Sequence, residues 1–280
     1  MSSDPLARVA ELPGVAEAVA ETRDAVDRLL RHRMLRGPRS AISRLSAESA
    51  LRGARSSAAL DGEDVPLERL RGDQTAPPDA LVLQGALRVT GALAGFAETW
   101  HRAPRQVLAR MHALAAAGLA EPDRLGRPRS GATLPPGPDR TVSPAPDRSS
   151  PPGPEPEKMA ARLGLLAELL TSGTNPPALI LAAVVHGELL VLRPFGLADG
   201  VVARAAQRLT LMTCGLDPKG LTMPEVGHLE LRAGYAAALH GYAGGTGDGV
   251  AGWIRHCATA VSLGARESLA VCEAWQRGAA

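Results

Sequence analysis

Along most of this chain apolar residues recur at three- and four-residue spacing, the pattern of helices that bury one face. Residues 14–35 set Val15, Val19, Val26, Leu29 and Leu30 on one side and Glu17, Arg23, Asp24 and Arg28 elsewhere, and Gly37-Pro38 closes that helix. A second helical stretch, 40–60, carries Ile42, Leu45, Ala50, Leu51 and Ala54 and breaks at Asp61-Gly62. A new start lies near Val65-Pro66, and the stretch 71–78, with its Pro77-Pro78 pair, is turn chemistry. Helices are expected over 79–99 and again from Pro104, where proline suits a first turn, to Gly118.

The pattern then lapses. Eleven of the chain's 23 prolines fall between Pro122 and Pro156. They are interleaved with Gly, Ser, Asp and Arg, so the stretch has too little apolar surface to offset its ordering entropy. A disordered or extended loop is expected over 121–157. An amphipathic helix follows over 157–173, ended by Gly173 and Asn175-Pro176-Pro177.

Two segments, 178–192 and 200–213, are apolar nearly all round and belong at the centre of a bundle. Between them Arg193-Pro194 stops one helix and Gly196 and Gly200 shape a short turn into the next. Such a corner is either a plain helix–turn–helix or a cradle for an anion, because the opening turn of a helix offers unpaired N–H groups. Helices are also expected over 224–240, and over 250–276 after the turn Gly244-Gly245-Thr246-Gly247-Asp248-Gly249. No alternating strand pattern and no internal repeat is visible, so the fold class is all-α.

Composition agrees. Apolar residues make up 45% of the 280, yet only seven are aromatic, leaving Ala, Leu and Val to carry the burial, as closely packed helices prefer. The formal charge of +2 is too balanced to imply a nucleic acid or an anionic membrane as partner. Cys214, Cys257 and Cys272 are odd in number and widely spaced, which suggests neither a disulfide framework nor a zinc site. With no stretch of membrane-spanning or signal type, a soluble cytoplasmic protein is expected.

The residues around the central corner resemble the Fic (Fido) domain family, whose motif reads roughly HxxFxxIHPFx(D/E)GNGRxxR. His186 matches its first histidine, Leu189 the aromatic, Leu192 the isoleucine, Pro194-Phe195 the PF, Gly200 the second glycine and Arg204 the trailing arginine. The flanks fit as well: helix 158–180 with its proline break, Cys214-Gly215-Leu216, Tyr235 to Leu239, and Trp253-Ile254. Upstream, Ser57, Asp61 and Gly62 resemble the (S/T)xxxE(G/N) inhibitory helix of many Fic proteins, with Asp61 in place of glutamate. The resemblance implies a Fic-like helical domain over 79–276, interrupted by the proline-rich loop. An N-terminal helical region, 1–78, would precede it and carry the inhibitory-like helix at about 40–62.

The family's type activity is transfer of AMP from ATP, with Mg²⁺, to a target hydroxyl. ATP and Mg²⁺ are implied here by the resemblance alone, and no metal ligand set is identified. At the position of the family's catalytic base stands Arg193, and a guanidinium stays protonated. Leu197 replaces the acid that would hold Mg²⁺, Ala198 the first glycine, Asp199 the asparagine and Val201 the first arginine. A degenerate adenylyltransferase is therefore expected, one that binds a small anionic ligand or an unidentified protein partner, with a homodimer as one option for its assembly. Candidate anion contacts are Arg193, Gly196, Asp199, Gly200 and Arg204, and Arg204 is expected to pair with Asp61 or Asp199. His186 is expected to be packing, and His112 and His228 to be ordinary buried or surface histidines. Two alternatives stand: an active transferase or hydrolase using Arg193 and Asp199, and a structural interaction module.

Overall fold

The computed structural model describes residues 6–37, 39–71, 76–131, 153–173 and 176–278. These form eleven α-helices and no strand: α1 (Ala7–Ala10), α2 (Val15–Leu30), α3 (Arg39–Leu60), α4 (Leu81–Trp100), α5 (Pro104–Ala116), α6 (Pro156–Thr171), α7 (Ala178–Leu192), α8 (Asp199–Thr213), α9 (Pro224–Glu230), α10 (Arg232–Ala243) and α11 (Gly247–Gln276). Short 3₁₀ turns at Arg33–Arg36, Leu67–Leu70 and Pro122–Arg124 join some of them.

The centre is the pair α7 and α8. On α7 buried residues occur all round the helix, Leu179, Ile180, Ala182, Val185 and Leu189 among them. A helix without a polar stripe can only be satisfied by neighbours on every side. These neighbours are α6, α8, α10 and α11. Helix α8 packs on α3, α4, α5 and α9 as well as on α7. Its residues from Val201 to Leu211 are all buried. The expectation that α8 is apolar all round needs correcting, however, because Arg204, Gln207, Arg208 and Thr210 lie inside as well. Each is there with polar company, and Arg208 illustrates it by donating to the Ser49 hydroxyl and the Gly220 carbonyl.

Two further expectations change. The stretch 224–240 is two helices, α9 and α10, which divide at Leu231. The proline-rich stretch is ordered at its margins, with a 3₁₀ turn at Pro122–Arg124, a buried Arg129 and the start of α6 at Pro156. Its interior, 132–152, lies outside the described residues, as do 72–75, within the stretch expected to turn, and 174–175, at the expected break.

Close helix approaches are made through glycines. A Cβ on Gly227 of α9 would run into the Ala260 backbone of α11, and one on Gly85 of α4 into the Ala115 backbone of α5. No helix is long and apolar enough to cross a membrane among the described residues.

Candidate functional site

The corner between α7 and α8 is a strained loop. Arg193, which ends α7, has φ 45°, and Ala198, just before α8, has φ 55°. Both are in the left-handed region that costs a residue with a Cβ about 1 kcal/mol or more. Something must hold them there, and three groups do.

The first is Asp199, the opening residue of α8. Its Oδ1 accepts the Phe195 N–H at 3.0 Å, tying the helix start back to the loop. Its Oδ2 is buried and makes no well-formed hydrogen bond, although the Gly196 N–H also acts on the carboxyl. Burial pushes this carboxyl up to about 7, against the lowering pull of the Phe195 N–H and the Arg193 charge.

The second is the pair Phe195 and His112. Phe195 points into the core and stacks on the His112 ring of α5, centroids 4.1 Å apart and planes 3° from parallel. The Gly126 N–H donates to His112 Nδ1 at 2.9 Å. Burial lowers the imidazole pKa to about 4, so this ring is neutral packing.

Arg129 is the third, and sequence reasoning missed it. It is 6% exposed, and its Nε donates to the Arg193 carbonyl at 3.0 Å and its Nη2 to the Leu192 carbonyl at 3.3 Å. The same guanidinium reaches Gly131 O and Pro154 O, and the Arg129 amide donates to Pro194 O at 2.8 Å. A cation on the last carbonyls of α7 is where the helix dipole favours one. In a chain where nearly every basic residue is arginine, nothing in the local pattern singled this one out.

The far side of the corner is closed by the end of α3. Gly62 has φ 95° and its N–H donates to Ala59 O, while Glu63 N–H donates to Ala58 O. This is a Schellman ending in which Asp61 is the last residue before the left-handed glycine, so the turn fixes where its side chain projects. It projects onto α8. Arg204 Nη2 lies 2.8 Å from Asp61 Oδ1, its Nε donates to Ser57 Oγ at 2.8 Å and its Nη2 to Ser57 O at 2.9 Å. Of the two carboxylates considered for Arg204, the pairing is with Asp61; Asp199 bonds within its own loop. Arg204 is 2% exposed, and although burial works against its charge, Asp61 and Tyr235 outweigh that and raise its pKa.

The Asp61 carboxylate also rests against Gly200: a Cβ there would sit 2.5 Å from Asp61 Oδ1 and 3.0 Å from Arg204 Nη2. The carboxylate therefore lies at the opening turn of a fifteen-residue helix, beside a buried guanidinium. The chain's own carboxylate thus occupies this opening turn, where the positive end of the helix dipole favours a negative charge.

Arg193, Leu197 and Ala198 line the outer edge of the loop, each partly exposed, whereas Pro194, Phe195 and Gly196 are buried. Val201 faces the core. His186 is fully buried on α7 and meets the Tyr235 hydroxyl through Nε2 at 2.7 Å.

An all-α bundle wrapped about a strained helix–loop–helix corner, with a preceding helix seated on that corner, is thus the class that fold and site define. Among solved structures it is the Fic fold. A Fic family protein from Desulfovibrio desulfuricans G20 superposes with a TM-score of 0.71 at 20% identity, over 93% of this chain and 75% of that one. A fragment of Fic-1 from C. elegans gives 0.70 at 16% identity, over 92% and 73%. A single-substitution variant of that fragment gives 0.67 at 17% identity, over 91% and 72%. The chain has the Fic fold. By sequence it matches no family model and no curated protein.

Proposed function

We propose that this chain is a Fic-fold binding protein without AMP-transfer activity, which takes a small phosphorylated ligand at the α8 opening turn when Asp61 withdraws. The observation that carries this reading is the Asp61 carboxylate seated between Gly200 and Arg204. A carboxylate held there occupies the place where backbone N–H groups and a buried guanidinium would receive phosphate. Transfer of AMP also needs a base for the acceptor hydroxyl. Arg193 stands at the residue that would face it, and a guanidinium does not accept a proton. The hard oxygen ligand for Mg²⁺ is likewise replaced by the Leu197 side chain.

Calorimetric titration of ATP and of inorganic pyrophosphate into the wild-type and Asp61→Ala chains tests the reading. Removing the competing carboxylate is expected to tighten binding by at least about tenfold, within the usual range of coupling between sites. Adding Arg204→Ala is expected to abolish the gain. Equal affinities in wild type and Asp61→Ala, or no binding in either, would overturn the proposal.

A second reading has one observation in its favour. Asp199 is buried, burial pushes its carboxyl up to about 7 against the Phe195 and Gly196 N–H groups, and its Oδ2 makes no well-formed hydrogen bond, properties that suit a general base working near neutrality. If pyrophosphate release from ATP rises through pH 7 and is lost in Asp199→Asn, the chain is an enzyme of altered chemistry.

A further inference from the structure

Beyond the corner, five helices bring an unusual set of side chains together. His186 comes from α7, Gln207 from α8, His228 from α9, Tyr235 from α10, and Trp253, His256 and Cys257 from α11. Three of the chain's seven histidines and one of its two tyrosines meet here. His186, His228 and Cys257 are each fully buried. One ring nitrogen of each histidine and the Cys257 sulfur all lie within 4.8 Å of one another.

Hydrogen bonds distinguish the two nitrogens of each ring. His186 Nε2 meets the Tyr235 hydroxyl at 2.7 Å, and His228 Nε2 meets Gln207 Oε1 at 2.9 Å. Each imidazole is thus anchored on its Nε2 side by an oxygen, which leaves Nδ1 for another partner. His186 Nδ1 lies 4.0 Å from Cys257 Sγ, and His228 Nδ1 lies 3.1 Å from His256 Nε2. Metal-binding histidines are oriented in this way, one ring nitrogen on the ion and the other on a polar group behind it. The Gln207 amide oxygen accepts from His228 Nε2–H, which sets the lone pair on Nδ1. Its own Nε2 is buried without a partner.

We propose that His186 Nδ1, His228 Nδ1 and Cys257 Sγ form a binding site for a thiolate-accepting d¹⁰ metal ion, Zn²⁺ or Cu⁺, with Tyr235 and Gln207 as the groups that orient the two imidazoles. Neighbouring ligand atoms around Zn²⁺, with bonds of about 2.0–2.3 Å, sit roughly 3.3–3.8 Å apart, so loading draws the three donors inward by less than an ångström or so. On binding, the ion gives up its waters and the Cys257 thiol gives up its proton to solvent. His186 then carries its proton on Nε2 and donates it to the Tyr235 oxygen. Two imidazoles and one thiolate make a three-coordinate neutral site for Cu⁺. For Zn²⁺ the fourth place falls to His256 Nε2, already beside His228. His256 is only partly buried, and so marks the side from which an ion enters.

Spacing alone could not announce this set, since its members lie 42 and 29 residues apart on three helices. Only the packing of α7, α9 and α11 assembles it.

The test uses the full chain, free of affinity tag and kept reduced. It is equilibrated with Zn²⁺ or with Cu⁺, desalted, and assayed for bound metal, and in parallel titrated with Co²⁺ as a spectroscopic stand-in for Zn²⁺. The expected result is one ion per chain and a sulfur-to-cobalt charge-transfer band. Cys257→Ser should abolish that band and weaken binding by at least about 100-fold. Gln207→Leu should weaken it by about 10- to 100-fold, as removal of an orienting group does. Cys214→Ser and Cys272→Ser should leave it unchanged. Circular dichroism establishes that each variant is folded, and the wild-type cobalt spectrum decides the matter even if Cys257→Ser is not. A folded wild-type chain that retains no ion and shows no thiolate band overturns the proposal, as does metal held equally well by folded Cys257→Ser.

Discussion

Asp199 and Ala198 are two adjacent residues whose behaviour the loop geometry dictates in opposite ways. The Asp199 carboxyl is raised to about 7 by burial, so the folded chain binds a proton there that the unfolded chain has lost above about pH 4. Folding then takes up a proton between about pH 4 and 7, and this residue's contribution falls as pH rises through that window. A shift of about three units corresponds to at most about 4 kcal/mol. Asp199→Asn, which mimics the protonated form, is expected to be more stable than wild type at pH 8, with the difference shrinking toward zero near pH 4. Urea unfolding of both chains across that range checks the sign. Comparing the two chains is necessary because the buried His112 and the partly buried His256, lowered to about 4, tilt the absolute profile the other way. Ala198 has φ 55° without the glycine that tolerates it. Ala198→Gly should raise stability by about 0.5–1 kcal/mol, read as a higher melting temperature, with the loop unchanged.

At the scale of elements, the chain's pattern made most helices legible. The run 178–192 coincides with α7, and Pro104 opens α5 where its missing N–H costs nothing. Where reading failed, the reason was contact between elements rather than propensity. Helix α8 looked apolar because its charged side chains are few; the resemblance to the inhibitory helix made the turn of Arg204 toward Asp61 legible, whereas nothing local reveals that Arg208 turns inward toward α3. Ser57, Asp61 and Gly62 were legible as a helix ending, and the Schellman turn explains why that spacing aims the carboxylate at α8. Arg129 was hidden because its partners are backbone carbonyls, which leave no trace in sequence. Element packing also sets a firm expectation at Gly227. Its α-carbon meets α11 backbone that cannot rotate away, so Gly227→Ala should destabilise the chain by about 1–3 kcal/mol in denaturant unfolding. Asp61→Ala leaves Arg204 bonded to Ser57 but without a counter-charge. With Asp61 about a quarter exposed, a loss of about 1–3 kcal/mol is expected, together with faster hydrogen exchange at the end of α3.

For the whole molecule, two things coexist that a fold alone does not reconcile. The scaffold superposes on Fic structures over more than nine-tenths of its length, while the corner at its centre carries Arg193, Leu197, Asp199 and Val201 where the resembling motif has its chemistry. The geometry accounts for the persistence of the scaffold. Asp199, Phe195, His112 and Arg129 hold the corner in its strained form, and Asp61 with Arg204 seats α3 upon it, all without nucleotide. None of those bonds requires catalysis. The most direct measurement of this account is pyrophosphate release from ATP with Mg²⁺ by the Asp61→Gly chain, in which the seated carboxylate is gone and the α8 turn is open. Release is expected to be no faster than that of an Arg193→Ala, Asp199→Ala control in the same background. Release clearly above that control would contradict it, and would make the corner an active site.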